Sequence, residues 1–561
     1  MSMGDLVSRA YSGFRGVDFR GEEVNLVRSP DSVNMWKDYR ETEQIRTRPK
    51  LAKVSEYATP VWGIFFYKVG SRQMQLIHSG TKLYQYENET ITELYEGLNP
   101  RRSQAFIYNN IWYFKDGINY LQYDGAEVKE VVGYAPTTTI GRKPAGGGTQ
   151  YEDVNMLTGT RINTFLGDGE STEYYLDTQN LDADYIPEIT VDGEACENFT
   201  VDNVAGKVTF DAPPPEPLTD GQDNVSIKFK KNVDGYRDRI NKCTLLCVFD
   251  NRVFFSGNQD YPNVVWHCSL NDPSYCSDTD YYNEGLDLAK VTGLVAGNNA
   301  LWVFKEPSQA KTAVFYHNPT IDSEHGKIYP SVHSSIATGC VGGAINFNDD
   351  IIFFSDRGME AISGDVTTEQ LLAHRSSMVD AKLLTEEAYE DMVLEEWEGY
   401  LLVFVGNKVY LADSRGWYTN VNHSEYEWFY WELDKEITST CVQDGVLFVG
   451  TEDGVYTFSD NAGELESHWV TPIDKFKHPH FQKTTNKRGC VVEATGDVIV
   501  SVKTDKEDWE VVGIYEDVTD YLVCRIKKKK FKDIQMKFQS GKRFSLESAT
   551  LECYVGGYIK R

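Results

Sequence analysis

Short strand-like runs that return at a nearly constant spacing constrain the fold of this chain more than any other feature. The runs are four to six residues long, rich in β-branched and aromatic residues, and bounded by Gly, Asn or Asp. That composition is typical of strands joined by tight turns. The successive copies are 38, 141, 48, 51, 50 and 45 residues apart. These spacings are measured between the residues before each central strand: Arg72, Asn110, Asn251, Asn299, Asp350, Tyr400 and Gly445.

All but one of these spacings match the roughly 40–50 residues of a four-stranded propeller blade. One such meander cannot bury both of its faces, whereas a ring of meanders can. The sequence therefore predicts an all-β chain with a six- or seven-bladed β-propeller. A set of unrelated meanders, or stacked β-sandwiches, would give the same alternation and remains an alternative.

The single long spacing indicates an insertion of about 95 residues into the propeller, since one blade accounts for the rest of it. Residues 142–240 begin with the loop-like KPAGGG and continue with about six strand-like runs. Added residues cost little free energy in a surface loop of a folded domain. We therefore expect a small β-sandwich at 142–240, with the propeller at 56–141 and 241–467.

The two ends of the chain do not follow the blade pattern. After Asp460 the repeat stops, and further strands predict a separate C-terminal β domain at 468–561. Residues 1–55 contain no clean set of strands and are predicted to form an N-terminal arm. Helical spacing of apolar residues is clearest from Thr367 to Glu390, which we predict to be a helix.

Charge is distributed unevenly along the chain. The whole chain has 56 Lys and Arg against 85 Asp and Glu, a formal net charge of −29. Residues 1–50 carry 9 basic and 8 acidic residues, and 468–561 carry 18 and 13, which leaves −35 for residues 51–467. This balance disfavours a protein that wraps duplex DNA, because such binding depends on neutralised phosphates.

Targeting signals and membrane spans are not expected. The sequence has no apolar run of 18 residues and no apolar core behind its N-terminal residues. We therefore expect no membrane insertion, no secretory signal, and synthesis in a cytoplasm.

Ten cysteines in a chain of this length do not indicate a disulfide framework, and none forms a C-x-x-C pair. We expect buried free thiols, including Cys247, Cys441 and Cys524, which lie in strand-like runs.

No motif for nucleotide binding, metal binding or nucleophilic catalysis is present, so we expect no catalytic residue, no cofactor and no metal site. His478 and His480 are spaced to face one way on a strand, but a third metal ligand is missing. The acidic loop from Thr219 to Asn224 could hold Ca²⁺, yet it lacks the final Glu of an EF-hand, and a solvated turn is favoured.

A basic run lies near the C-terminal end of the chain. It comprises Arg525, Lys527, Lys528, Lys529, Lys530 and Lys532. Lysines on an edge strand block unwanted strand pairing, which is one interpretation. The other is a contact patch for an acidic partner, such as the acidic propeller of another subunit.

The arm carries a recognisable order of short phrases. Arg28-Ser29-Pro30-Asp31 is followed by Asn34-Met35 and then by Thr47-Arg48-Pro49. This order resembles the start of bacteriophage tail nozzle or hub proteins, also called phage stabilisation proteins. Lys50 stands where that group usually has Gly. The stretch from Arg252 to Cys276 and the strands of the insertion are similar to the same group, so the resemblance covers most of the chain.

The resemblance implies a non-enzymatic structural protein of the virion tail, made in the cytoplasm of the bacterial host. It implies a ring of identical subunits, commonly six, that lines or extends the DNA exit channel during DNA ejection. Its expected partners are the portal or adaptor and other tail parts, with tail fibres among those it could support. Viral DNA would pass an acidic lining without specific binding. Candidate interaction residues are Arg28, Asp31, Asn34 and Arg48 of the arm, and Arg525, Lys527, Lys528, Lys529, Lys530 and Lys532.

Two other functions remain open from the sequence. A propeller glycosidase or depolymerase would need two carboxylates placed around a glycosidic bond. With 85 acidic residues, spacing alone does not select such a pair. The remaining alternative is a receptor-binding, or adsorption, protein that recognises glycan on the host surface.

Overall fold

The computed structural model of the chain describes residues 5–38, 40, 44–323, 326–363, 371–387, 389–420, 423–505 and 507–558. The chain divides into two compact units. One comprises Met1–Phe66, Leu76–Gly80 and Thr338–Arg561, and the other comprises Tyr67–Gln75 and Thr81–Ala337. Among the described residues, no helix is long and apolar enough to cross a membrane.

Antiparallel four-stranded meanders recur along the chain, which confirms the all-β propeller. The described residues form seven of them, here called blades one to seven. Blade one contains Val61–Val69, Arg72–Ser79, Lys82–Glu87 and Thr90–Glu96, and blade two contains Gln104–Tyr108, Ile111–Lys115, Tyr120–Tyr123 and Val128–Glu130. Blade three contains Leu245–Phe249, Arg252–Ser256, Val264–His267 and Tyr281–Asn283, and blade four contains Val291–Gly297, Ala300–Lys305, Val314–His317 and Ser331–His333. In blade four, a small hairpin (Thr320–Asp322 and Gly326–Ile328) precedes the last strand.

Blades five to seven belong to the unit that contains Thr338–Arg561. Blade five contains Ala344–Phe347, Asp350–Ser355, Gly358–Ser363 and Leu371–His374, and blade six contains Val393–Trp397, Tyr400–Val405, Lys408–Asn420 and His423–Glu432. Blade seven contains Ser439–Gln443, Val446–Gly450, Gly454–Ser459 and Lys50–Glu56. The fourth strand of blade seven thus comes from the N-terminal part of the chain. The first strands of blades two, three and four contact one another in order, and so do those of blades five, six and seven.

Tight turns between the first two strands explain the repeat seen in the sequence. In blades two to five, two consecutive Asn or Asp residues occupy the turn with φ between 48° and 63°. These pairs are Asn109-Asn110, Asp250-Asn251, Asn298-Asn299 and Asn348-Asp349. Two left-handed residues in succession form the hairpin turn whose twist matches that of the strands, and Asn and Asp tolerate this conformation.

The insertion is a two-sheet sandwich, as predicted. Its larger sheet contains Thr137–Arg142, Thr149–Gln150, Thr160–Phe165, Glu188–Val191, Glu194–Ala195 and Val225–Lys230, and its smaller sheet contains Glu173–Tyr175, Phe199–Asp202 and Lys207–Phe210. Phe165, Tyr174, Phe210 and Ile227 are among the residues of its core. The sandwich starts at Thr137, before the predicted boundary at residue 142. A short helix, Tyr236–Asn241, follows it.

The C-terminal β domain is present but is not separate from the rest of its unit. Its strands are Ser467–Val470, Phe481–Thr504, Glu510–Val518, Tyr521–Cys524, Lys529–Phe531, Ile534–Ser540 and Phe544–Tyr558. Through strands of the arm, this sheet continues into blade six. The arm strands are Asp5–Ser12, Ser32–Val33, Met35–Trp36 and Ile45–Thr47.

The N-terminal arm, whose sequence shows no clean set of strands, nevertheless contains short strands. Asp5–Ser12 pairs with Phe544–Tyr558 over eight residues, and the other arm strands have only two or three residues each. Strands that short give no readable alternation in the sequence. Their apolar residues, including Trp36 and Ile45, belong to one core cluster with blade six, blade seven and the C-terminal sheet.

The helix predicted from Thr367 to Glu390 is wrong. Leu371–His374 is the fourth strand of blade five and pairs with Gly358–Ser363. The described remainder contains only a one-turn helix at Asp380–Leu383 and a 3₁₀ turn at Tyr389–Asp391. Residues 367–370 and 388 lie outside the described residues. Pairing within the blade overrides the local helical pattern, since strand formation depends on its neighbours.

One cysteine pair departs from the prediction of free thiols. Cys268 and Cys276 form a disulfide, with their Cα atoms 4.1 Å apart. The loop between them folds back on itself through a hydrogen bond from the Ser269 amide to the Tyr275 carbonyl (2.7 Å). Cys247, Cys441 and Cys524 lie in strands and are not disulfide-bonded.

Candidate interaction surfaces

The Asn34 side chain connects three parts of one unit. Asn34 has a left-handed backbone (φ 59°), which Asn tolerates better than most residues, and it is buried. Its Oδ1 accepts hydrogen bonds from Arg48 Nε (2.8 Å) and from the Glu432 amide (2.9 Å). Its Nδ2 donates to the Glu466 carbonyl (2.9 Å). One amide group therefore links the arm, the last strand of blade six and the start of the C-terminal sheet.

Arg48 completes this junction from the other side of the arm. Its guanidinium is 2% exposed and donates to the carbonyls of Pro49 (2.8 Å) and Glu432 (2.7 Å), in addition to Asn34. Burial lowers the pKa of Arg48 to about 10. A buried guanidinium is tolerated where its donors find acceptors, as they do here.

The other matched arm residues have mixed environments. Arg28 is buried, and its Nη1 donates to the Arg15 carbonyl (3.1 Å). Asp31 is exposed, and its Oδ1 lies 3.4 Å from His468 Nε2, an interaction that lowers the pKa of Asp31. Ser29 donates to the Val470 carbonyl (2.7 Å). We call the group of Asn34, Arg48 and the carbonyls that they bind the arm junction. Of the four arm candidates, Asp31 alone is accessible to a partner.

Aromatic packing surrounds the arm junction, and this was not predicted from the sequence. Trp36 is 1% exposed, stacks on Trp397 of blade six (5.9 Å between ring centroids) and packs edge-on against Trp431 (5.6 Å). The signal in the sequence is Trp36 immediately after Asn34-Met35. Its packing partners Trp397 and Trp431 lie 361 and 395 residues later, and a local sequence pattern does not connect residues so far apart.

The predicted basic run lies at an edge of the C-terminal sheet. Lys529–Phe531 and Tyr521–Cys524 each pair with the long strand Phe481–Thr504. Lys528 is bound by Glu510 (2.7 Å) and Glu507 (2.9 Å), which raise its pKa. The remaining five cations are exposed and have no ion pair with any residue that the structure describes. We call them the basic strip: Arg525, Lys527, Lys529, Lys530 and Lys532.

A second charged surface lies at one end of the inserted sandwich, where Asn224 joins three loops. Asn224 Oδ1 accepts from the Gly167 amide (2.9 Å), and its Nδ2 donates to the Pro215 carbonyl (2.9 Å) and to Asp192 Oδ1 (3.3 Å). These bonds gather exposed carboxylates from separate parts of the chain. We call them the acidic tip: Glu170, Asp192, Glu194, Glu216 and Asp220.

Acidic residues greatly outnumber basic residues in the sequence around the acidic tip. Residues 162–206 and 208–227 contain no Lys or Arg, and residues 137–231 carry 17 acidic against 7 basic residues. Leu218, beside Glu216, is almost fully exposed (96%). Within the described part of the chain, no three His, Cys, Asp or Glu side chains are grouped as metal ligands. The sequence interpretation recognised only the loop from Thr219 to Asn224 and missed the loops that Asn224 brings to it.

Titratable groups elsewhere connect or lie within the blades. Glu284, which follows the last strand of blade three, accepts a hydrogen bond from Ser331 Oγ of blade four (2.6 Å) and lies 2.8 Å from His317 Nε2, and the side chains of Glu284 and His317 are fully buried. The Glu284 carboxylate thus contacts both Ser331 and His317, whereas in a catalytic triad the histidine contacts the serine directly.

In blade five, His374 lies between two carboxylates. Its Nε2 is 2.6 Å from Asp380 Oδ2, and its Nδ1 is 3.1 Å from Glu360 Oε1. Hydrogen bonds to Asp380 and Glu360 raise the pKa of His374 to about 10. Asp380 is further held by Ser376 Oγ (2.5 Å). The cluster keeps a charged imidazole within the blade.

Comparisons with known proteins return similarity of fold only. No protein-family model matches the sequence, and no curated protein matches it. BamB from Moraxella catarrhalis is 10% identical with a TM-score of 0.32, covering 82% of this chain and 98% of that one. Hsv2 from Kluyveromyces lactis is 8% identical with a TM-score of 0.27, covering 66% and 97%. An exo-β-1,3-galactanase from Phanerochaete chrysosporium is 9% identical with a TM-score of 0.21, covering 55% and 94%. At these values the likenesses bear on neither family nor activity.

Proposed function

We propose that this chain is a non-enzymatic structural subunit of a bacteriophage tail, located in the virion. Several copies close into a ring, the nozzle or hub, that lines or extends the DNA exit channel below the portal or adaptor. The ring supports other tail parts, including fibres, and DNA passes through it during ejection without specific binding.

The arm junction is the observation that carries this proposal. The arm phrases that resemble those of nozzle proteins supply Asn34 and Arg48, whose side chains tie the arm to blade six and to the C-terminal sheet. Because these two residues hold the arm to the rest of its unit, a resemblance in the arm supports a shared architecture.

Charge adds support of a different kind. The stretch 51–467 carries −35, and the adjoining C-terminal region carries more basic than acidic residues. An acidic wall repels phosphate, so duplex DNA would slide along it and would not adhere. A chain with a strongly acidic middle and basic regions can also place an acidic surface of one subunit against a basic surface of the next. Such contacts between unlike surfaces close a ring when the rotation from one subunit to the next is a whole fraction of a full turn.

The test is the assembly state of the purified full-length chain, followed by mass photometry and negative-stain imaging. We expect a closed ring with a central opening at low ionic strength. The same sample in about 1 M salt is the matched control, since charge interactions are then screened beyond roughly 3 Å. Duplex DNA added at physiological salt should show no binding to the ring.

A lone globule at every protein concentration would overturn the ring. If that globule releases reducing sugar from bacterial envelope, the glycosidase or depolymerase function replaces the proposal. If it binds envelope glycan without cleaving it, the adsorption function replaces it.

A further inference from the structure

We propose that the basic strip of one copy docks onto the acidic tip of the inserted sandwich of a second copy of this chain. The inference rests on the proposed ring and specifies which two surfaces meet in it. Its occupant is another copy of the same chain, and charge complementarity is the reason for that choice.

The basic strip is a surface whose charge is unsatisfied within its own unit. Burial alternates along Arg525, Ile526 and Lys527, so these two cations extend from the same side of the chain, while Ile526 and Phe531 are buried in the core. Lys528, in the middle, is the one paired with Glu507 and Glu510. The preceding strand, Tyr521–Cys524, adds the exposed apolar side chains of Tyr521 (63%) and Val523 (44%). The surface therefore combines five available cations with an apolar border.

The acidic tip has the opposite charge to the basic strip, and it likewise combines exposed charged side chains with an exposed apolar side chain. Its five carboxylates have no ion pair with any described residue, and the exposed Leu218 lies among them in sequence. The loops that carry them are fixed by Asn224 and by the hydrogen bond from the Gly169 amide to the Pro214 carbonyl (3.1 Å). Loops that are already fixed lose little backbone entropy when a partner binds.

The arrangement of the carboxylates in the acidic tip is more suitable for binding a protein surface than for binding a metal ion. A calcium site needs six to eight oxygens on one point. The described carboxylates do not form such a group. They are spread over three loops, which suits a spread of lysine and arginine side chains.

Two unlike surfaces on every copy make a head-to-tail contact. Such contacts build rings or open filaments, whereas a contact of one surface with itself builds a two-fold dimer. Charge complementarity of this kind sets register and rejects wrong partners more than it adds affinity. The pairing of strip and tip would therefore fix the order in which subunits join.

Charge reversal of the full-length chain tests the pairing. One variant carries Arg525→Glu, Lys527→Glu and Lys529→Glu, and a second carries Glu170→Lys, Glu194→Lys and Glu216→Lys. All six side chains are exposed, so folding should be unaffected, and circular dichroism with thermal unfolding verifies this. Each variant alone should assemble at least about tenfold more weakly than the unchanged chain, because like charges then face each other.

Mixing the two variants in equal amounts is the decisive measurement. In the mixture, a reversed strip meets a reversed tip and an unchanged strip meets an unchanged tip, so assembly should return with the two variants alternating. The matched control carries Glu127→Lys, Asp184→Lys and Asp234→Lys, three exposed carboxylates away from the tip, and it should assemble as the unchanged chain does.

Each outcome decides between the two proposals. A ring that survives both reversals overturns the pairing of strip and tip and leaves the proposed ring intact. An unchanged chain that never assembles overturns both. If the strip variant assembles normally but loses binding to a short duplex DNA that the unchanged chain binds, the strip is a nucleic-acid surface and the pairing is wrong.

Discussion

The arm junction and the basic strip belong to the same unit and use charge in opposite ways. Arg48 is buried, and each of its three donor nitrogens has an acceptor within the chain. The cations of the strip are exposed and have no carboxylate among the described residues. The comparison shows that a charged residue in a recognisable motif can be part of the architecture, whereas unpaired charge at a sheet edge is left for a partner or for solvent.

Removal of the aromatic packing at the arm junction should have the largest effect. Trp36→Ala leaves a cavity among Trp397, Trp431 and Tyr400, and such truncations cost about 3–5 kcal/mol. The measurement is the free energy of unfolding by urea denaturation. Trp509→Ala, at a half-exposed position of the C-terminal sheet, is the control and should cost far less.

Removal of the buried guanidinium should come next. Arg48→Met keeps much of the side-chain volume but leaves Asn34 Oδ1 and two carbonyls short of a donor, a loss of about 1–3 kcal/mol. Urea denaturation again measures the change. Lys532→Met provides the exposed counterpart. Equal effects of the two substitutions would erase the contrast between junction and strip.

A smaller effect should appear in the pH dependence of stability. The pKa of His374 is raised to about 10, so its charged form stabilises blade five fully below the unfolded pKa near 6.5. This stability is lost as pH rises from about 6.5 to 10. Since the imidazole is partly exposed, screening limits the change to about 1–2 kcal/mol.

His374→Gln should remove that part of the pH dependence. Its effect is read as the difference between the unfolding midpoints of the two proteins, each measured at pH 6 and pH 9.5. If the unfolding midpoints of the two proteins changed equally between pH 6 and pH 9.5, the contacts with Asp380 and Glu360 would not be what keeps the His374 imidazole protonated.

The basic strip should show the smallest effect on stability. Lys527→Gln, Lys529→Gln and Lys530→Gln together should leave the thermal midpoint of the monomeric chain unchanged, because exposed cations without partners add little to folding. A clear destabilisation would mean that the strip belongs to the architecture, as the arm junction does.

The propeller was predictable because its local chemistry repeats. Each blade from two to five marks its first turn with two Asn or Asp residues of positive φ, and from blade three to blade five the sequence displays these pairs at the blade period. The inserted sandwich was predictable as an interruption of that period. Both signals are local and need no knowledge of tertiary contacts.

The arm and the acidic tip depend on contacts between distant parts of the sequence. Asn34 bonds to Glu432 and Glu466, and the arm strand Ile45–Thr47 pairs with Phe544–Tyr558. At the tip, Asn224 bonds to Gly167 and Asp192, which lie 57 and 32 residues earlier in the chain. No periodicity marks such contacts. The predicted helix failed for the same reason, since Leu371–His374 becomes a strand only beside Gly358–Ser363.

The strand Lys50–Glu56 that completes blade seven has a consequence for how the protein is made. It pairs with Gly454–Ser459, and at about 5–20 residues per second the ribosome needs roughly 20–80 s to reach that partner. Until then the nascent strand has an open edge, which invites pairing with other polysomal chains. Chaperone protection during elongation, or a slow final docking step after release, would therefore govern how much of this protein reaches its native form.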